Sequence, residues 1–528
     1  MKKEPQGRAE SPLRFVARHW PFLIVVAAGL AIRIAVSLTY RPALMFVGDS
    51  YGYLLRAADL TPGLVRPIFY PLMIWPFQRL SLVSLIPVAQ HLLGLGVGVA
   101  IYVLMRRLGI GMWGSTLAAA PILLDAYEVN IEQFIMAETL FTALVVGAVV
   151  MLMWRKRPGF AASVGAGLCI AAATLTREVG IVLIVPVLAF LLVRRSGWLR
   201  TGAALACFAV PLIAYSFWFK AVNGSFGLSG HDGFFLYGRV ATFANCTRSD
   251  IPPSERLLCD PRKPSHRPFA NFYVWNSQSP VHRLLVSSGT EANGILKDFS
   301  LRVIRHQPLD YVTTVLGDFL HFLAPGHTTG PQDEPLQIWQ FPKQMPILDH
   351  VYLSIPPCLV HPTNGCVDTL QLCFHTGPGC VQVLPIGPRH PALASMLQGY
   401  QRVVFVPGPA LALALVLGLA GGLGFRGRWR LRGESLLFTV IGILVLIVPV
   451  ITVMFDYRYM LPALALLPPG GVVGAVALRD RISRWQTLRA LSRTRRPESN
   501  GHEDVKGKEQ DLVPVPGARA PRVEPAGG

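Results

Sequence analysis

Ten apolar runs, near 20–40, 83–105, 110–127, 138–154, 160–176, 179–193, 202–218, 402–424, 435–453 and 459–478, constrain this 528-residue chain more than any other feature. Backbone in roughly 30 Å of hydrocarbon has no water to bond, so it must satisfy itself as helix or closed barrel. Continuous apolar runs without two-residue alternation select helices. The expected fold is an all-α polytopic membrane protein of about ten transmembrane helices. Charge agrees: 15% of the residues are charged, against about 25% in soluble domains.

The net charge of +19 invites a nucleic-acid reading, which its distribution excludes. The basic clusters fall in alternate connections: Arg106 and Arg107; Arg155, Lys156 and Arg157; Arg194, Arg195 and Arg200; "FRGRWRLRG"; and "RDRISRWQTLRALSRTRR". The positive-inside rule then puts both termini in the cytoplasm of a multi-pass cell-membrane protein. The connection at 125–138, assigned outside, has no Lys or Arg. The first run follows a basic amino terminus and reads as an uncleaved signal anchor.

Five regions follow. A basic cytoplasmic tail (1–19) leads into a membrane block (20–218, spans one to seven, with its first external loop at 41–82). An extracytoplasmic segment (219–401) separates this from a second membrane block (402–478). A cytoplasmic tail (479–528) is basic and then too rich in Pro, Gly and charge to bury a core. Within the external segment "LKDFSLRVIRHQPLDYVTTVLGDFLHFLAPG" has helical spacing broken at Pro308 and is too polar to span; it is expected at the membrane surface. Six of the eight cysteines, Cys246, Cys259, Cys358, Cys366, Cys373 and Cys380, lie in this segment, and Cys169 and Cys207 lie in spans. On the oxidising side the six read as disulfides, with 15 pairings open. Zinc is the alternative, though no Cys-x-x-Cys pair is present.

With that topology, scattered polar residues share the outer face. Asp49 opens a short amphipathic helix in "FVGDSYGYLLRAADL"; Arg66 stands before Pro67 in the same loop; Glu138 opens the fourth span; Arg177 ends the fifth; Asp456 and Arg458 precede the tenth. Ionisable groups at membrane depth are expensive and invite a functional reading. Each also has a plain one. Asp49 and Glu138 can cap helices, Arg66 can meet headgroups, Arg177 can snorkel, and Asp456 can pair with Arg458. The "NCT" at Asn245 is a sequon of a kind that also arises by chance.

The succession "GDSYGYLLRA", "RPIFYPLMI", "AETLFTALVV", "TREVGIVLIVP" and "DYRYMLPAL" resembles integral-membrane glycosyltransferases of the GT-C superfamily. The likeness is to the polyprenyl-phosphate-sugar-dependent families related to protein O-mannosyltransferases and aminoarabinose transferases. It is best over 20–195. The resemblance implies transfer, with inversion, of a sugar from a polyprenyl-phosphate donor to a cell-envelope acceptor (glycan, lipid or protein) on the extracytoplasmic face. It makes Asp49 the general base and Glu138 a second or positioning acid, with Arg66, Arg177 and Arg458 on the donor phosphate. The chain departs in having Asp-Ser where protein mannosyltransferases have Asp-Glu, which withdraws support from a protein hydroxyl acceptor. Its large external segment also lies between spans rather than at the end.

The residue types suit that chemistry. A carboxylate takes the acceptor proton, and guanidinium forks bind phosphate oxygens in pairs. Tyr51, Tyr53 and Tyr70 can stack on or bond a sugar, although tyrosines are also common at membrane interfaces. A divalent cation shared by Asp49 and Glu138 stays open, two acids being a thin ligand set. Two other classes remain: a transporter or flippase for a lipid-linked sugar, against which stands the lack of clear repeats, and a non-enzymatic envelope assembly protein.

Overall fold

The computed structural model describes residues 12–46, 48–288, 291–343, 345–346, 385–386, 388–424 and 431–479. Apart from the two-residue strands Met345–Pro346 and Pro385–Ile386, their regular structure is helical. In chain order the α-helices are α1 (Pro12–Thr39), α2 (Asp49–Asp59), α3 (Phe69–Arg79), α4 (Leu85–Arg107), α5 (Met112–Leu124), α6 (Ala126–Ile131), α7 (Glu138–Met153) and α8 (Phe160–Thr176). Then come α9 (Ile184–Val193), α10 (Trp198–Asn223), α11 (Asp232–Ala241), α12 (Ala270–Trp275), α13 (Pro280–Ser288), α14 (Ala292–His306) and α15 (Pro308–His321). The last are α16 (Pro391–Val403), α17 (Gly408–Leu423), α18 (Arg432–Thr452), α19 (Leu461–Leu464) and α20 (Leu467–Arg479).

Every expected apolar run falls on helix, but not every helix is a full span. Among the described residues four helices are long and apolar enough to cross a membrane, or six counting the bent pairs at 49° and 44°. Four more apolar segments are shorter, among them α5, α7 and α8. Polar residues cut them short: Asp125 turns extended after α5 and caps α6 by accepting from the Tyr127 and Glu128 amides, and Arg177 turns extended after α8.

The packing runs α1 on α5, α5 on α4, α4 on α7, α7 on α8 and α8 on α10, with α17 on α18. Small residues allow the closest approaches. A Cβ at Gly421 would lie 2.3 Å from the Cα of Gly474, so α17 and α20 meet almost backbone to backbone.

The Lys- and Arg-free connection is a buried layer rather than an open loop: residues 126–141 are all buried. Leu44 pairs with Phe134 as a single parallel bridge, which stitches this layer to the 41–82 loop. Beneath it Arg33, from the middle of α1, holds Glu132 with two bonds of 2.7 Å, and the His91 ring shares the same carboxylate at 2.7 Å. A Cβ at Gly94 would fall 1.9 Å from Glu132 Oε1, so glycine there is what admits the carboxylate.

Cys246 and Cys259 form a disulfide, and Cys169 and Cys207 are free thiols. Cys358, Cys366, Cys373 and Cys380 lie outside the described residues. The helical stretch expected over 296–326 is two helices, α14 and α15, with Pro308 at the first position of the second, where its missing N–H is harmless. The α15 face bearing Leu309, Val312, Leu316 and Leu320 is exposed, while Tyr311 on its other side donates to the Ile451 carbonyl at the end of α18.

Candidate active site

The chain folds Asp49, Arg66, Glu138, Arg177, Asp456 and Arg458 into one cluster of three acids and three arginines. Asp49 Oδ2 accepts from Arg458 Nη1 at 2.6 Å, across 409 residues of sequence, and Oδ1 accepts from Arg66 Nε at 3.1 Å. Arg458 Nε lies 2.8 Å from Asp456 Oδ2, and its Nη1 lies 3.8 Å from Glu138 Oε1. Glu138 is bonded by Arg177. Positive and negative charges alternate, and the formal sum is zero.

The plain readings of these residues are now decidable. Asp49 is the first residue of α2 and makes no cap; its carboxylate goes to the two arginines. Glu138 likewise makes no cap bond. Arg177 does not run out to solvent but pairs inward, 5.4 Å over the Tyr459 ring. Asp456 does pair with Arg458, and also accepts its backbone N–H at 3.0 Å. Asp49, Ser50, Tyr53, Leu54 and Ala57 form the buried face of α2, so the helix presses its acid into the cluster.

Exposure is graded. The side chain of Arg458 is 5% exposed, Arg177 17% and Arg66 31%, so Arg458 forms the floor and Arg66 the mouth. Tyr53 and Tyr70 pack edge to face behind the cluster, and the Tyr70 hydroxyl donates to Gln90 at 2.6 Å. Tyr51 is half-buried on the outer side of α2. Among the described residues no group of three or more His, Cys, Asp or Glu is placed to hold a metal ion.

Electrostatics follow from the pairing. Burial alone would push the Asp49 carboxyl up; the Arg66 and Arg458 guanidiniums outweigh it and hold it well below the usual carboxylate range. The stability this contributes is complete above the ordinary value of about 3.9. It is lost only as the pH falls through the depressed folded value. Glu334, buried nearby and bonded by Asn271 at 2.7 Å, shows the opposite behaviour: burial and then the Asp456 charge push it up. Sequence reading missed Glu334, as it missed the Arg33, His91 and Glu132 network. An arginine inside an apolar run was the available signal for the latter; a lone Glu in a long external segment carries none.

No family profile matches the chain, and no curated protein matches it. Among solved structures a match is the crystal structure of ArnT from Cupriavidus metallidurans bound to undecaprenyl phosphate. It is 14% identical, covers 92% of this chain and 82% of that one, and has a TM-score of 0.33. At that level of similarity the site has to be read from its own side chains.

Proposed function

We propose that this protein is a GT-C-type glycosyltransferase that moves a sugar from a polyprenyl-phosphate donor to an envelope acceptor outside the cytoplasm. The observation that supports this most is that three arginines are gathered on Asp49 and Glu138 beside apolar helices, which suits a phosphate on a lipid. Each of these arginines is already paired, so a donor phosphate has to compete with carboxylates for them. In this reading Arg66 and Arg177, nearest the mouth, meet the phosphate first, and Arg458 follows. Asp49, relieved of its partners, regains basicity. It then accepts the acceptor hydroxyl proton as that oxygen bonds to the anomeric carbon. The anomeric C–O bond breaks with its electron pair going to the phosphate, and the single displacement inverts the centre. Glu138, whose Oε2 is buried without a partner among the described residues, orients Arg177 and can take a substrate hydroxyl.

The direct test is to incubate purified protein with a labelled polyprenyl-phosphate sugar and envelope lipids. Release of polyprenyl phosphate with label on a second molecule is expected. Movement of the lipid across a vesicle without cleavage would mark a flippase instead.

The exchange of arginines makes a kinetic prediction. The acid limb of kcat/KM reports the free protein and that of kcat the donor complex, so the limb in kcat should lie at the higher pH. Coincident limbs would mean that the donor does not loosen Asp49. Sidedness has its own check: in a cysteine-free background Gln332→Cys should react with an impermeant thiol reagent on intact cells and Ser492→Cys should not. The reverse pattern would put the cluster on the cytoplasmic face.

A further inference from the structure

Helices α11 to α14 pack chiefly on one another. Their apolar side chains, among them Phe234, Tyr237, Leu258, Tyr273 and Phe299, close a core separate from that of the membrane helices. Two short junctions join this subdomain to the body. At the first, α10 is capped by Gly224, whose φ of +80° suits glycine, and the chain reaches α11 through Gly227 and Gly230. The body side of that junction is anchored: Asn223 Nδ2 donates to the Pro62 carbonyl at 3.1 Å, and the Gly230 N–H to the Leu64 carbonyl at 2.8 Å. At the second, Gln307 alone separates α14 from α15; its side chain bonds Asn245 and Ser249 of the subdomain, while Pro308 starts the body helix.

The seam between subdomain and body is incompletely filled. A groove of about 450 Å³ lies on it, with Phe243, Pro264 and Ser265 on the subdomain side and Thr314, Gln332 and Asp333 on the body side. Bonds that cross the seam join Arg239 to Asp318 at 2.6 Å, Asn271 to Glu334 at 2.7 Å and Gln332 to the Pro264 carbonyl at 2.6 Å. Aromatic contact crosses it where Phe243 meets Tyr311. Arg239 is 3% exposed, yet its Nε and Nη2, two donors that together make a guanidinium fork, bond nothing among the described residues. An interface that stays shut pairs its buried donors. Parts joined through a seam that is neither large nor wholly apolar move relative to one another by default.

The charge cluster is covered as the chain stands. The Arg66 guanidinium, at the mouth, lies 5.5 Å over the ring of Phe235 from α11. The cavity lined by Tyr127, Asn130, His327 and Arg458 measures about 10 Å³, room for one water. A sugar phosphate does not fit there, so deep entry needs a movement. We infer that α11 to α14 form a lid, hinged over 224–230 and at Gln307, which opens along the groove to uncover Arg66 for the donor and closes through Asn271 onto Glu334. Hinges of this kind are a few element-terminal residues that absorb the change in backbone angle. The ligand class rests on the glycosyl-transfer reading; the hinged motion does not.

The test is double electron–electron resonance on the full-length protein in detergent. Spin labels go on p-acetylphenylalanine placed at the exposed Ser254 of the lid and Gln337 of the body, which leaves the native cysteines alone. Two distance populations are expected, and undecaprenyl phosphate should shift their ratio toward the closed one. Asn271→Ala with Gln332→Ala removes two crossing bonds and should raise the open-to-closed ratio about 25-fold, a factor of five for each bond. Arg239→Gln should act in the same direction and serves if that pair does not fold. Benzoylphenylalanine at Ser265, in the groove wall, ties the lid to the body on illumination; the tied protein should bind undecaprenyl phosphate at least tenfold more weakly than the same protein kept dark. A moving lid whose tether blocks the lipid, in a protein that transfers no sugar, would remove the proposed function and leave the lid standing. If the lipid binds in neither state, the donor reading falls and the distances decide the lid. A single narrow distance that the variants leave unchanged, or lipid binding indifferent to the tether, would overturn it.

Discussion

Asp49→Asn should leave a folded, membrane-inserted protein whose transfer rate is lower by on the order of 10²–10⁴, the usual contribution of a positioned general base. The substitution keeps the volume and removes the charge that Arg66 and Arg458 now share. Those two guanidiniums are then freer for a phosphate, so donor binding should hold or tighten while chemistry fails. Rate and donor affinity moving in opposite directions is a signature that a merely structural acid would not give. The measurements are single-turnover transfer and donor binding on purified protein. A variant that transfers at the unmodified rate would take Asp49 out of the mechanism and leave Glu138 and Glu334 as the acids to test next.

Arg458→Ala should have the largest effect on stability. One guanidinium serves Asp49, Asp456 and, more distantly, Glu138. Removing it leaves buried carboxylates short of a positive charge, and breaking one buried pair costs roughly 3–5 kcal/mol. The expected result is a sharp fall in monodisperse yield and in melting temperature in detergent. Arg458→Lys should recover only part, because an ammonium cannot span two carboxylates as a planar fork does. Combining Arg458→Ala with Asp49→Asn should restore some of the lost stability by removing an orphaned acid. If Arg458→Ala melts like the unmodified protein, the cluster contributes nothing to the fold.

The helical class was legible in the sequence, because apolar runs report lipid burial directly. So were the six charged residues, because ionisable groups beside such runs are costly enough to stand out. Their pairing was not. Nothing local says that Asp49 faces Arg458, and the caps and lipid contacts that suited each residue alone gave way once all six shared one volume. The 125–138 stretch misled in a different way. Its lack of Lys and Arg read as a connection assigned outside, whereas Glu132 is buried because its partner, Arg33, sits in the first apolar run, far from it in sequence. Asn130 and His327 were illegible: an uncharged amide and a lone imidazole carry no pattern until folding places them against the same cavity. The disulfide was legible as a class and not as a pair, since spacing does not choose among connectivities.

The cluster has a consequence for biogenesis. Its charges enter the membrane as three local couples, Asp49 with Arg66, Glu138 with Arg177, and Asp456 with Arg458, separated by 17, 39 and 2 positions. A ribosome delivering this chain from its amino end thus supplies each acid with a nearby counter-charge, and the earliest couples need not wait for the last span. The bond from Asp49 to Arg458 forms only when that span arrives. It joins couples that are already neutral, so the last span brings Arg458 into the cluster with its own counter-charge, Asp456, two positions away.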